Sequence, residues 1–325
     1  MVRPAEIDPW PALPYREWRE TCEALHLWAQ IVGKYRLAQT PWLNHSWHAT
    51  LYVNSCGFTT SLVPDANGAV EIAFDLVDHV LRGTNVAGAS ARFALEPMSV
   101  AEFHTRFVRM LTELGASSRF SGVPNEIPDS VPFAHDRAAR PYDAHAVTRF
   151  FRACASVKRV FSRFRTAYLG KASPVHLFWG SFDLAVTRFS GRRAPLHPGG
   201  VPGLPDEVTR EAYSHEVSSA GFWPGGGGVE FPAFYSYAYP SPPGFAEARV
   251  EPAGTSFNHK LGEFILPYDA VRSSADPEAT LMAFLESTYL AAAELGQWDR
   301  RALECPMGER RRPRPLSRTT PAAAR

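Results

Sequence analysis

Cysteine is scarce in this chain and carries no pattern. The 325 residues hold four, Cys22, Cys56, Cys154 and Cys305, and none form a CxxC pair. That argues against a disulfide framework and against a cysteine-built zinc site. Cys22 and Cys154 fall on apolar helix faces and read as small buried hydrophobes. A charge surplus is missing as well: 34 Lys+Arg against 33 Asp+Glu leave a formal net charge of +1. Such a balance gives no general attraction to nucleic acid or to an anionic membrane surface. No apolar run approaches the roughly 20 residues of a membrane helix, and the stretch from Met1 to Pro9 has no apolar signal-peptide core. The expectation is a soluble, cytoplasmic protein with neither nucleic acid nor membrane as partner. Compact catalytic signatures are absent too. Gly180-Ser181 lacks the flanking glycines of a nucleophile elbow. The glycine run 225–228 leads into Val229-Glu230-Phe231-Pro232 rather than the Lys-Ser/Thr of a phosphate loop.

What is present is periodicity. After an irregular segment over 1–14, Trp18, Cys22, Leu25, Ala29 and Val32 follow helical spacing, and the helix is expected to end near Gly33. Residues 47–53 read as extended, with strands at 69–77 and 89–96. Ser99-Val100-Ala101-Glu102 has the form of a capping box, opening a helix whose face is Phe103, Phe107, Met110 and Leu114. These elements make a first half over 15–120. A proline-rich connection covers 121–142. The second half, 143–304, starts with a helix bearing Val147, Phe151, Cys154, Val157, Phe161 and Phe164 inward and a basic, solvated face outward. A strand pair over 174–190, a Gly/Pro-rich loop over 191–206 and strands at 215–222, 233–239 and 262–267 follow. Asp276-Pro277 caps a last helix with Leu281, Leu285, Thr288, Ala292 and Leu295 inward. The tail, 305–325, is Arg/Pro/Ala-rich and reads as disordered. The order suggests an α+β protein: an internally duplicated helix–antiparallel strands–helix unit around one or two adjacent sheets.

Candidate chemistry concentrates where polar groups interrupt apolar strands, because burying such groups is costly without partners. Gly170 to Arg192 is the richest such stretch. Lys171 and Lys34 each follow a glycine and read as cations at helix C-termini. Arg188 could fork onto Asp183 or onto an anionic ligand. His45 and His48 could converge on a metal if the chain turns there. His176, or His215 with Glu216, would complete a set suited to Zn or Fe with an open position. Phe222 and Trp223 could wall a site under the glycine run. The alternation Phe234-Tyr235-Ser236-Tyr237-Ala238-Tyr239 puts three tyrosines on one strand face, as a pocket lining or a half-wet sheet surface.

The strings Leu25–Lys34, Ser173–Gly191 and Tyr213–Val217 resemble a bacterial family known as domain of unknown function 5996, over about residues 10–305. The resemblance implies one domain over nearly all of the chain and carries no activity, cofactor or catalytic residue with it. The residues themselves point to an enzyme acting on a small anionic molecule in a pocket between the halves. In that reading His176, His215 and Glu216 are catalytic, and Lys171, Arg188, Trp179 and Trp223 bind substrate. A divalent metal would sit on His45, His48 and His176. The alternative is a non-catalytic protein that binds a small molecule or a partner.

Overall fold

A computed structural model describes residues 8–65 and 68–314. Helix α1, Tyr15–Gln39, precedes a five-stranded antiparallel meander: β1 (Tyr52–Val53), β2 (Gly57–Asp65), β3 (Gly68–Asp75), β4 (Val80–Asn85) and β5 (Ser90–Ala94), paired in that order. Helix α2, Val100–Glu113, closes the half, and the Ser99 side chain accepts from Glu102 N as the capping box requires. The second half opens with α3, Ala144–Thr166, capped by Asp143. Its six-stranded antiparallel sheet holds β6 (His176–Phe178), β7 (Asp183–Arg193), β8 (His215–Trp223), β9 (Ala233–Tyr239), β10 (Ser256–Asn258) and β11 (Glu263–Pro267), in the order β10-β11-β9-β8-β7-β6. Helix α4 (Asp206–Ala212) precedes β8, and α5 (Tyr268–Arg272), α6 (Pro277–Leu295) and α7 (Arg300–Leu303) follow the sheet. Asp276 caps α6 by accepting from Ala279 N. The fold is α+β with two antiparallel sheets.

Each half thus opens with a long helix and follows its antiparallel sheet with helix; the first sheet is a simple meander, whereas in the second β11 inserts between β9 and β10, and one hydrophobic core spans both halves. Leu51 and Leu177 join the two sheets by exchanging backbone hydrogen bonds of 3.0 and 2.8 Å. Beside that joint, Trp179 Nε1 donates to Ala49 O at 2.7 Å. Its indole lies across Gly33 so closely that a Cβ there would fall 2.3 Å from the ring. This corrects the expected end of α1. Gly33 is a notch in mid-helix rather than a C-cap, and the helix runs six residues further. Arg36, buried in its last turn, donates to His48 O at 2.7 Å and to Thr60 O.

Three strands, β2, β4 and the short β10, escape the sequence pattern. In β2 the register shifts between Thr59 and Leu62, with Ser61 at φ 54°, so alternation breaks mid-strand; a bulge does this. In β4 the central Gly83 leaves room for Leu114 and Ile72. Of residues 47–53, expected to be extended, 47–49 are turn and only 51–53 pair as strand, after a 3-10 turn at Asn44–Ser46 where His45 takes φ 59°. Leu295, expected to face inward, is 41 % exposed. The basic face of α3 reaches α6, where Glu278 pairs with Arg159 and with Arg163. Residues 305–314 lie back on the end of α3: Gly308 N donates to Thr166 Oγ1 at 3.0 Å, and Arg314 Nε to Pro306 O at 2.7 Å. The remainder of the expected disordered tail, 315–325, lies outside the described residues.

Candidate functional site

Alternation gives the second sheet two unlike faces. Leu184, Val186, Ala220, Phe222, Phe234 and Leu266 are buried in the main core. The opposite face carries Asp183, Thr187 and Phe189 from β7, Ser219 and Trp223 from β8, Tyr235 and Tyr237 from β9, and Glu263 from β11. With a cover formed by His45, Trp47, Phe178 and Tyr213, these enclose a chamber of about 220 Å³. A cleft of about 790 Å³ shares His45, Phe178, Ala212 and Tyr213 with the chamber. The cleft reaches across to the first half through Lys34, Leu37, Trp42 and Ala49 and to the connection through Asn125 and Glu126.

The register explains how the chamber's polar groups meet. Gly221 pairs with Tyr235 on one side and Ala185 on the other. A Cβ at Gly221 would lie 2.3 Å from the Tyr235 ring, so the missing side chain lets that tyrosine lean across β8. Its hydroxyl then donates to Asp183 Oδ2 on β7. One register step along, Thr187, Ser219 and Tyr237 form a row, with Thr187 and Ser219 hydroxyls 2.8 Å apart. Tyr237 and Tyr213 hydroxyls are also 2.8 Å apart. Glu263 Oε2 is closed off from solvent and takes no hydrogen bond.

Burial sets the electrostatics. Loss of hydration pushes the Asp183 carboxyl up to about 7, against the stabilising hydrogen bond from Tyr235. Burial and then the charge of Asp183 push Glu263 up to about 8. Both groups therefore hold or share a proton near neutrality, where free carboxyls are ionised. In the outer cleft Lys34 is 5 % exposed and donates to Asn125 Oδ1 at 2.5 Å. Burial lowers it to about 8, with Glu126 opposing the shift. Burial also raises Glu126, whose Oε2 accepts from Ser181 Oγ at 2.6 Å.

The residues expected to form the site are dispersed. His45 lines both chambers, but both of its nitrogens are engaged. Nδ1 lies 2.6 Å from Ala212 O and must donate, which leaves Nε2 to accept from the Lys171 ammonium at 3.0 Å. The ring is thus neutral, and burial, with Lys171 adding to it, lowers its affinity for a second proton. His48 stays beside Leu43 and Trp42, its Nδ1 3.2 Å from Leu43 N. His176 is fully buried with both nitrogens unpartnered. Burial, with the charges of Arg165 and Arg36, lowers it to about 3. Among the described residues no three His, Cys, Asp or Glu side chains are placed to hold a metal ion. His45, His48 and His176 are therefore not gathered into one centre.

His215 approaches His45, ring to ring at 6.2 Å. Glu216 turns away to Arg192 at 2.7 Å and Ser190 at 2.8 Å. Arg188 reaches neither Asp183 nor the chamber. It points to the helix side, 3.4 Å from the Phe164 ring centre and 4.3 Å from that of Tyr289, and donates to Phe164 O at 2.5 Å. Lys171 stands 5.1 Å from the rings of both Trp47 and Phe189. Trp223 lines the inner chamber and Trp179 the outer cleft, whereas Phe222 packs on the core face. Tyr235 and Tyr237 resolve the tyrosine alternation as a pocket lining. Glu263, Glu126 and Tyr213 had no signal of their own. Gly221 had one, since a glycine inside a strand marks a close approach.

A family model matches residues 10–305. The chain belongs to the family of unknown function DUF5996. The matched span covers both halves, both chambers and their cover. No curated protein and no solved structure matches the chain.

Proposed function

We propose that the protein is an enzyme that moves protons on a small molecule held in the chamber on the second sheet. The observation that carries this is the pair Asp183 and Glu263. Both are carboxyls lining one cavity, with affinities for a proton drawn into the neutral range. A general acid or base works best when its pKa lies near the working pH, and environments that push carboxyls there concentrate at functional sites. Tyr235 fixes one Asp183 oxygen and favours its ionised form, which suits Asp183 to accept a proton. Glu263 keeps its proton longer and suits the role of donor. The Tyr213–Tyr237 hydroxyl pair supplies hydrogen bonds to an oxygen or nitrogen of the ligand. The outer cleft admits the ligand between the halves, as the sequence suggested. The recurrence of a long helix, an antiparallel sheet and closing helix supports reading the halves as copies of one ancestral unit.

The test starts from compounds found to bind by thermal shift, each then followed for turnover by NMR. In Glu263→Gln and Asp183→Asn, turnover of saturating ligand is expected to fall about 10²–10⁴-fold. If ligands that occupy the chamber are never turned over by the native protein, the enzyme reading fails. The protein is then a small-molecule binder, a reading favoured by the large aromatic share of the chamber wall.

A further inference from the structure

We propose that the inner chamber receives a protonated primary amine, with the apolar remainder of the ligand lying in the outer cleft. The inference rests on the reading of the chamber as the functional site and names the class of molecule it takes.

Three observations converge. First, the side chains of formal charge that line the chamber are acidic. Asp183 and Glu263 are there, and among the described lining residues there is no lysine or arginine. Lys171 is not a lining residue: it stands behind His45, whose Nε2 accepts from its ammonium, and behind the rings of Trp47 and Phe189. Second, the walls are aromatic, with Trp47, Phe178, Phe189, Trp223, Tyr235 and Tyr237 among the lining residues. Trp223 lies 4.5 Å from Tyr235, and Tyr235 stacks on Tyr237 at 6.1 Å between ring centres. Ring faces attract cations, and a desolvated box strengthens that attraction. Third, Glu263 Oε2 is shut away from water with no donor. An unpaired buried acceptor is costly, and an ammonium brings three donors to it. A quaternary cation would leave that oxygen bare; an amine that carries N–H serves it, and a primary ammonium, with three donors and the least bulk, suits the small chamber best.

Size supports the division of the ligand. About 220 Å³ is less than the ~300–1,000 Å³ of pockets that take a whole drug-sized molecule. The adjoining cleft of about 790 Å³ falls inside that range and is walled by Leu37, Trp42, Val123, Trp179, Leu204 and Val208. A head group fits the first and an apolar body the second.

Three probes sharing one phenyl ring separate the possibilities: benzylamine, benzyl alcohol and benzoate, titrated calorimetrically into the full chain at pH 7.5. Benzylamine is expected to bind at least tenfold tighter than the alcohol. That preference should shrink at least tenfold in Glu263→Gln and in Trp223→Leu, with circular dichroism confirming that both variants are folded. Asp183→Asn gives a second route should either variant misfold. Alcohol or benzoate binding as tightly as the amine, with Glu263→Gln indifferent, overturns the amine and leaves the acid–base chamber in place. No binding of any probe, with no change in Trp223 fluorescence, overturns the chamber as a ligand site and the amine with it.

Discussion

The two sheets differ in what lies over the face turned away from the core. On the first sheet that face meets solvent, and its polar groups pair among themselves. Thr59 Oγ1 donates to Glu71 Oε1 at 2.5 Å, and Arg82 reaches Asp75 at 3.3 Å. On the second sheet the equivalent face is covered by the 3-10 turn at Asn44–Ser46 from the other half and by the residues around α4. The same kinds of side chain under that cover lose their water. Asp183 and Glu263 then hold protons into the neutral range. The two faces thus diverge because one is roofed and because only the open one carries arginine beside its carboxylates. The roof is irregular chain, and the sheet beneath supplies the rigid frame that such segments need to position chemistry.

The contrast depends on the joint that brings the first half over the second sheet, so the largest effect is expected there. Trp179→Ala removes the indole lying in the Gly33 notch and its bond to Ala49. A loss of about 3–5 kcal/mol in urea unfolding is expected, and a loss below 1 kcal/mol would show that the joint contributes little. Gly33→Ala places a methyl against the same ring and is expected to cost about 1–3 kcal/mol. Gly122→Ala, with open space around its Cβ position, should stay within about 0.5 kcal/mol.

Tyr235→Phe leaves Asp183 buried without its side-chain donor and should cost about 1–3 kcal/mol. Thr59→Val, at the matching kind of contact on the open sheet, should cost less. Equal costs would erase the distinction between roofed and open faces.

A separate effect is in pH dependence. An unfolded chain releases the Asp183 and Glu263 protons near pH 4, whereas the folded chain keeps them to about 7 and about 8. Between those limits the folded state binds more protons, so stability contributed by these groups falls as pH rises. Melting temperature should therefore decline between pH 6 and pH 8.5, and Glu263→Gln should flatten that decline. Glu71→Gln on the first sheet should leave it unchanged. His176 and His26 act at the other end. Burial lowers them to about 3 and about 4, so stability is lost as pH drops below their unfolded value near 6.5.

Much of the frame was legible in the sequence because it is local. Ser99, Asp143 and Asp276 cap their helices through contacts three residues away, and apolar spacing named the buried faces of α1, α2 and α3. Gly33 was misread because a C-cap and a packing notch call for the same residue, and only Trp179, distant in sequence, distinguishes them. The bulge at Ser61 hid β2. At the site, Trp223 and the tyrosine alternation were visible. Glu263 was not, since a glutamate opening a strand after Leu261-Gly262 looks solvent-facing until the roof is known. The histidines drew attention through residue type alone. Folding turned His176 into the core and occupied both nitrogens of His45, uses that residue type cannot reveal.

The Leu51–Leu177 bridge also has a consequence in time. During synthesis β1 is complete long before its partner across the joint has left the ribosome. At ~5–20 residues per second the wait is on the order of ten seconds. Through that interval the first meander carries unpaired backbone amides and carbonyls along β1, a template for pairing with a neighbouring nascent chain. Its shortness, two residues, limits that hazard. The arrival of residue 177 ends it, whereas the chamber and its roof wait for α4 and the strands through β11.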